Sequence, residues 1–212
     1  MQLPAHIFHM AEEANWPLIE QHGLLPACAL LRQAFPQRVG LDSLHRPEHT
    51  VLPNGVHIRD QRPIPERALA ACLVEMSPSQ WYELINAHVF FWLDPDRLNR
   101  QRAACASRAQ VVVTVSTADL LSAHERDTYV TPFNIGYALR RPARRGLGTL
   151  VPYSSWQSSR WVSEAEALGC VSRSRTHPPA ELLVRGSIPG FMRMVRKVVR
   201  LEPGERYMPS AA

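Results

Sequence analysis

Apolar and polar positions in this chain follow two periods, short alternating or unbroken runs and 3.6-residue stripes, and they change over often. Residues 3–10 (LPAHIFHM) read as a short buried strand with His9 near its end. A loop leads to Asn15, a favoured N-cap type, and Trp16–Pro17 opens a short helix with Ile19 on its inner face. Gly23 suits the left-handed position after that helix, and Leu24–Leu25 return to the core. Residues 27–35 (ACALLRQAF) carry a second apolar stripe, and 36–50 are a polar loop. The runs Thr50–Leu52 and Val56–Ile58 flank Asn54-Gly55, a hairpin signature. Residues 65–76 predict an amphipathic helix. Ser77-Pro78-Ser79-Gln80 is a capping box with proline at the first helical position.

The second half continues the interleaving. His88–Leu93 (HVFFWL) is an apolar run that reads as a fully buried central strand, followed by Asp94-Pro95 as a helix start. Residues 110–116 (QVVVTVS) predict another buried strand, with Thr117 capping the helix after it. Tyr129–Asn134 leads into Gly136, 149–153 form a short strand, and 154–167 are partly helical. Residues 180–184 (AELLV) form a strand entered through a carboxylate. Ile188–Val195 turns or coils, 197–201 form a last strand or helix, and 203–212 read as a frayed tail. Interspersed helices and strands with hairpin-type connections predict one α+β domain over 1–202.

Composition narrows the class. The chain has 212 residues, 45% hydrophobic and 20% charged, as expected of a globular domain with a full core. No apolar run suits a membrane span or a signal peptide, and Cys28, Cys72, Cys105 and Cys170 form no paired motif. Buried free thiols in a cytoplasmic protein with no membrane partner are expected. The net charge is +5, and Lys197 is the only lysine among 24 basic residues. Arginine bias in coding explains this, and so does an anionic partner, because guanidinium groups bind phosphates bidentately. Arg140, Arg141, Arg144 and Arg145 form the densest cluster, a candidate nucleic-acid contact. No glycine-rich dinucleotide fingerprint, phosphate-binding loop or serine elbow is present. His45 and His49 are spaced i, i+4, but Pro47 breaks the helix they would need, so no metal site is expected.

Three short strands then stand out, carrying His9, the Phe90–Phe91 pair, and Glu181. Each has a plain alternative, a satisfied histidine, core aromatics and a strand-edge carboxylate. Their order, with the Gly23-Leu24 helix end, the aromatic strand followed by Asp94 and an arginine, and the QVVVTV strand, resembles ADP-ribosyltransferase domains. The likeness is to DarT-like transferases and a related bacterial family of unknown function. It covers most of the chain and implies a split mixed β-sheet flanked by helices that grips NAD. On this resemblance Glu181 and Arg97 are catalytic, and His9, Met10, Asn15, Phe90 and Phe91 hold NAD. The activity that the resemblance implies is mono-ADP-ribosylation of a nucleic-acid or protein acceptor. An antitoxin partner is left open. Arg59 and Asp60 are further pocket candidates without a counterpart in the family pattern. A catalytically idle binding module and an RNA 2′-phosphotransferase-like enzyme are the alternatives. The second would rest on His and Arg residues rather than on Glu181.

Overall fold

The computed structural model describes residues 2–59, 65–136 and 142–209. In chain order the elements are β1 (His6–Glu12), α1 (Trp16–His22), α2 (Ala27–Ala34), β2 (Thr50–Val51), β3 (His57–Ile58), α3 (Glu66–Cys72), α4 (Pro78–Asn86), β4 (His88–Trp92) and α5 (Pro95–Ala104). They continue with β5 (Gln110–Ser116), α6 (Thr117–His124), β6 (Thr128–Thr131), β7 (Val151–Pro152), α7 (Tyr153–Ser159), α8 (Val162–Leu168), β8 (Glu181–Arg185) and β9 (Val195–Leu201). Seven strands form one sheet in the order β7-β6-β8-β4-β1-β5-β9, and β2-β3 stand apart as a hairpin. Every pairing between these strands is antiparallel, where a mixed sheet was expected. Among the described residues a parallel contact occurs only as an isolated bridge, Leu73 to Arg145.

Helices cover both faces of the sheet. On one face Ile7, Phe91, Val113 and Leu182 pack against Trp16 and Ile19 of α1 and Leu120 of α6. On the other, Leu183 meets Trp81 and Ile85 of α4, while Phe8 and Trp92 meet Leu98 of α5. This two-sided cover explains why β5 carries Val111, Val112 and Val113 in unbroken succession instead of alternating. Among the described residues no helix is long and apolar enough to cross a membrane.

Local chemistry sets most boundaries as expected. Ser77 and Gln80 exchange both capping-box bonds, and Asp94 Oδ1 accepts from the Asp96 amide. Gly23 has φ +78°, and Leu24 exchanges both backbone bonds with Ile188. A Cβ on Gly23 would lie 2.1 Å from the Ile188 carbonyl oxygen, so two separate demands require glycine there.

Other expectations change. Ser116, not Thr117, caps α6, because the Thr117 hydroxyl donates to the Pro4 carbonyl. The helix expected over 65–76 ends at Cys72, where the chain turns to bridge Arg145. Residues 154–167 break into α7 and α8 at Arg160, whose φ is +61°. The tail is fixed as far as it is described. Tyr207 is buried against Phe8, and its backbone exchanges two hydrogen bonds with the Asn99 amide. Cys28, Cys72 and Cys105 are buried, but Cys170 is exposed just after α8.

Candidate active site

The sheet divides between β1 and β4. Their register holds a single pair, Phe8 with Trp92, whereas β1 pairs with β5 at seven positions and β4 with β8 at five. A cleft of about 1110 Å³ opens at this division, roofed by α1, the β2-β3 hairpin, α4 and α5. Because the strands part there, residues from opposite sheet faces reach one space. His9 and Phe91 come from one face, and Phe90 and Glu181 from the other.

His9 spans the division. Its Nδ1 donates to the Phe90 carbonyl at 2.8 Å, since a carbonyl can only accept. Burial, with the nearby Arg59 charge as a smaller cause, lowers the His9 pKa to about 4, against the opposing effect of the Phe90 bond. The ring is therefore neutral near pH 7, and Nε2 is an acceptor, suited to a ligand hydroxyl. Phe91 lies 5.6 Å from this ring and is fully buried, whereas Phe90 is half-buried at the cleft wall. Of the two aromatics, Phe90 has ring surface left for stacking.

Glu181 opens β8 opposite Trp92 and Thr131, with 4% of its surface exposed. Its Oε2 accepts from the Ile135 amide at 3.0 Å and lies 3.1 Å from Thr131 Oγ1. Oε1 has no hydrogen bond among the described residues, and Glu181 lines the cleft. Burial raises its pKa to about 7, opposed by these two hydrogen bonds and by the charges of Arg97 and Arg145. The Thr131 hydroxyl has one proton and two acceptor neighbours, Glu181 Oε2 and the Phe133 carbonyl. When Glu181 is ionised the proton turns to the carboxylate. When Glu181 is protonated, the carboxyl can donate to Oγ1 and the hydroxyl turns to Phe133.

The remaining expected residues divide. Arg97 lines the cleft in the first turn of α5, 3.9 Å from Asp94, and its charge reaches Glu181. Met10 buries its side chain beside Phe8 and Trp92, and its carbonyl accepts from Arg59. Asn15 lines the cleft but does not cap α1 with its side chain. Its amide instead donates to the His57 carbonyl at 2.7 Å and accepts from the His57 amide at 2.8 Å, tying the hairpin to the end of β1. A side-chain amide that matches a strand's backbone pair gains two bonds there, against one at a helix end.

The arginine cluster does not act as one surface. Arg140 and Arg141 lie outside the described residues, as does Asp60. Arg144 is exposed and donates to the Gly169 carbonyl. Arg145 is 1% exposed, so it is no nucleic-acid contact. Its backbone pairing beside Leu73 turns the guanidinium inward onto Trp81 and Phe133.

Several site residues escaped the sequence reading. Glu12 is buried at the end of β1, accepts from Arg108 at 3.2 Å and Gln110 at 3.0 Å, and pairs with Arg59 at 3.6 Å. Its signature was available, a carboxylate closing an apolar strand. The Ile135 amide and the Thr131 hydroxyl had none, because both meet Glu181 across a sequence separation of 46 and 50 residues.

No curated protein sequence matches. Among solved structures, Thermosipho africanus DarTG in complex with ADP-ribose aligns with a TM-score of 0.50 at 13% identity, over 92% of this chain and 43% of that one. The chain thus spans less than half the length of that protein. Thermus sp. 2.9 DarT in complex with NAD+ aligns with a TM-score of 0.39 at 16% identity, over 92% and 81% of the two chains. The same protein in complex with ADP-ribosylated ssDNA gives 0.35 at 15% identity, over 88% and 77%. The first alignment shows that the α+β fold is shared with that protein. The match of residues 5–195 to the model of DUF7002 then settles the family: the chain belongs to this family of unknown function.

Proposed function

We propose that this chain is a NAD-dependent mono-ADP-ribosyltransferase acting on a macromolecule, with nucleic acid the favoured acceptor. One observation carries the reading. Among the described residues, a buried glutamate with one uncommitted oxygen and a neutral histidine with an available acceptor nitrogen line one cleft across a divided sheet. The cleft suits the substrate. Its rim carries Arg59, Arg97 and Arg100, which complement a pyrophosphate, and Phe90 offers a face to a flat ring. At about 1110 Å³ it is also larger than a single small ligand needs, leaving room for an acceptor.

The chemistry follows from these groups. His9 Nε2 accepts from a ribose hydroxyl and fixes the sugar. The bond between ribose C1 and the nicotinamide nitrogen breaks, and its electron pair leaves with nicotinamide. Glu181, ionised, stabilises the cation-like sugar through Oε1. An acceptor nucleophile forms the new bond to C1, and its proton passes to Glu181. The net basic charge and the exposed Arg100 and Arg144 support an anionic acceptor.

The test follows nicotinamide release from NAD in the presence of single-stranded DNA, RNA or protein. Glu181→Gln is expected to abolish release while retaining NAD binding by calorimetry. Full activity in that variant would sink the proposal. Activity that survives Glu181→Gln but is lost in Arg59→Ala would support the phosphotransferase-like alternative.

A further inference from the structure

Glu181 is held by a segment that must itself be held. Beyond β6, residues 132–136 run past the cleft without regular helix or strand, and Asn134, Ile135 and Gly136 line it. A donor on such a loop is ordinarily loosely placed. Here Ile135 is fully buried, and both its backbone groups are committed. Its N–H donates to Glu181 Oε2 at 3.0 Å, and its carbonyl accepts from Arg145 Nη1 at 3.1 Å. One residue thus joins the carboxylate to a guanidinium ten positions further along the chain.

Arg145 is a firm anchor. Its N–H donates to the Cys72 carbonyl at 2.9 Å, and its carbonyl accepts from the Val74 amide at 2.8 Å. A Cβ on the next residue, Gly146, would lie 2.8 Å from the Val74 carbonyl oxygen, so the approach of the two segments is close. The guanidinium lies 5.7 Å from the Trp81 ring centre and 5.3 Å from that of Phe133. Arg145 does not line the cleft, so it has no direct access to a ligand.

The charge itself needs a reason. A guanidinium stays protonated almost anywhere, and burying one without an ion partner is costly. Among the described residues no carboxylate lies within ion-pair distance of Arg145. Its charge nonetheless reaches Glu181 and favours the ionised carboxylate. Were the site only a packing position, a methionine or leucine would fill it at less cost.

We infer that Arg145 is a positioning residue for the reaction: it holds the Ile135 amide against Glu181 and adds its charge to that of Arg97 in the positive field at that carboxylate. The rate consequences rest on the proposed transferase reading. The effect on Glu181 does not, and so the two can fail separately.

The experiment is a carbon-13 NMR titration of protein labelled at the glutamate carboxyl carbons, with the Glu181 signal assigned by its loss in Glu181→Gln. Arg145→Met is expected to move the Glu181 midpoint upward by about one pH unit. Arg145→Lys, which keeps the charge, is expected to recover most of that change. Asn99→Ala, which loses the paired bonds to Tyr207, serves as a destabilised control, with a lower melting temperature and an unmoved midpoint. If Arg145→Met does not fold, Phe133→Leu removes one of the two rings packed on the guanidinium and is expected to give a smaller upward change. In the transferase assay Arg145→Met is expected to lower kcat about tenfold or more with the NAD KM nearly unchanged. An unmoved Glu181 midpoint in folded Arg145→Met, or in Phe133→Leu where that variant is needed, overturns the inference. A moved midpoint in a protein that never consumes NAD retains it and overturns only the transferase reading.

Discussion

Replacing Glu181 with glutamine should change how stability depends on pH, by an amount the structure sets. Glutamine keeps the shape and an oxygen for the Ile135 amide and Thr131, so the fold is retained. In the wild type, burial raises the carboxyl pKa from 4.5 to about 7. Between those values the native state holds a proton that the unfolded chain has released. Stability must therefore fall as pH rises through this window. The gap spans about 2.5 pH units, worth about 3 kcal/mol at ~1.36 kcal/mol per unit. His9 acts oppositely, since its pKa is lowered from 6.5 to about 4 and its contribution is lost as pH falls through that range. Because His9 is half-buried by surface area, its effect is smaller than the pH gap alone implies. The two slopes oppose each other in the wild type, so the difference between wild type and variant is the informative quantity. Urea unfolding followed by tryptophan fluorescence, at steps from pH 4 to 8, measures it. The advantage of Glu181→Gln over wild type should grow by about 3 kcal/mol from pH 4.5 to 7 and then level. A difference that stays constant across this range would show that Glu181 is not a buried carboxylate of raised pKa, and the acid–base part of the account would fall.

Three further outcomes are expected. Thr131→Val removes a donor to the ionised Glu181, so the midpoint of the acid limb of the activity profile should move above about 7; an unmoved limb would remove Thr131 from the charge balance. Gly23→Ala meets both a positive φ and the Ile188 carbonyl, and should destabilise the fold by more than ~1 kcal/mol in chemical denaturation; an unchanged midpoint would contradict the close approach. Asn15→Ala should loosen the β2-β3 hairpin by about 1–2 kcal/mol, read as faster hydrogen exchange at the His57 amide; unchanged protection would mean that other contacts hold the hairpin.

What the sequence revealed and what it hid differ in range. Local rules placed the Ser77 and Asp94 caps, the Asn54-Gly55 hairpin and the glycine after α1, because each is decided within a few residues. Unbroken apolar runs gave β4, β5 and β8, and polar outliers on strands pointed to His9 and Glu181. The antiparallel pairing and the place where the sheet divides were hidden, since both depend on partners far apart in sequence. Asn15 suited an N-cap by type, but a strand's backbone pair gave its amide two bonds. Four clustered arginines read as one basic surface. Pairing of residue 145 beside Leu73 turned one of them into the core, and nothing local to the cluster reports that. Tyr207 was likewise lost in an apparently frayed tail, because its anchor, Asn99, lies 108 residues earlier.

The central claim is that the cleft transfers ADP-ribose under the control of Glu181. It is tested most directly by incubating the protein with NAD labelled in its adenylate phosphate and single-stranded DNA, RNA and protein acceptors side by side. The account predicts that label becomes covalently attached to a nucleic acid with wild-type protein and that attachment is lost with Glu181→Gln. Attachment that continues unchanged in Glu181→Gln, or NAD left intact with every acceptor, would contradict it.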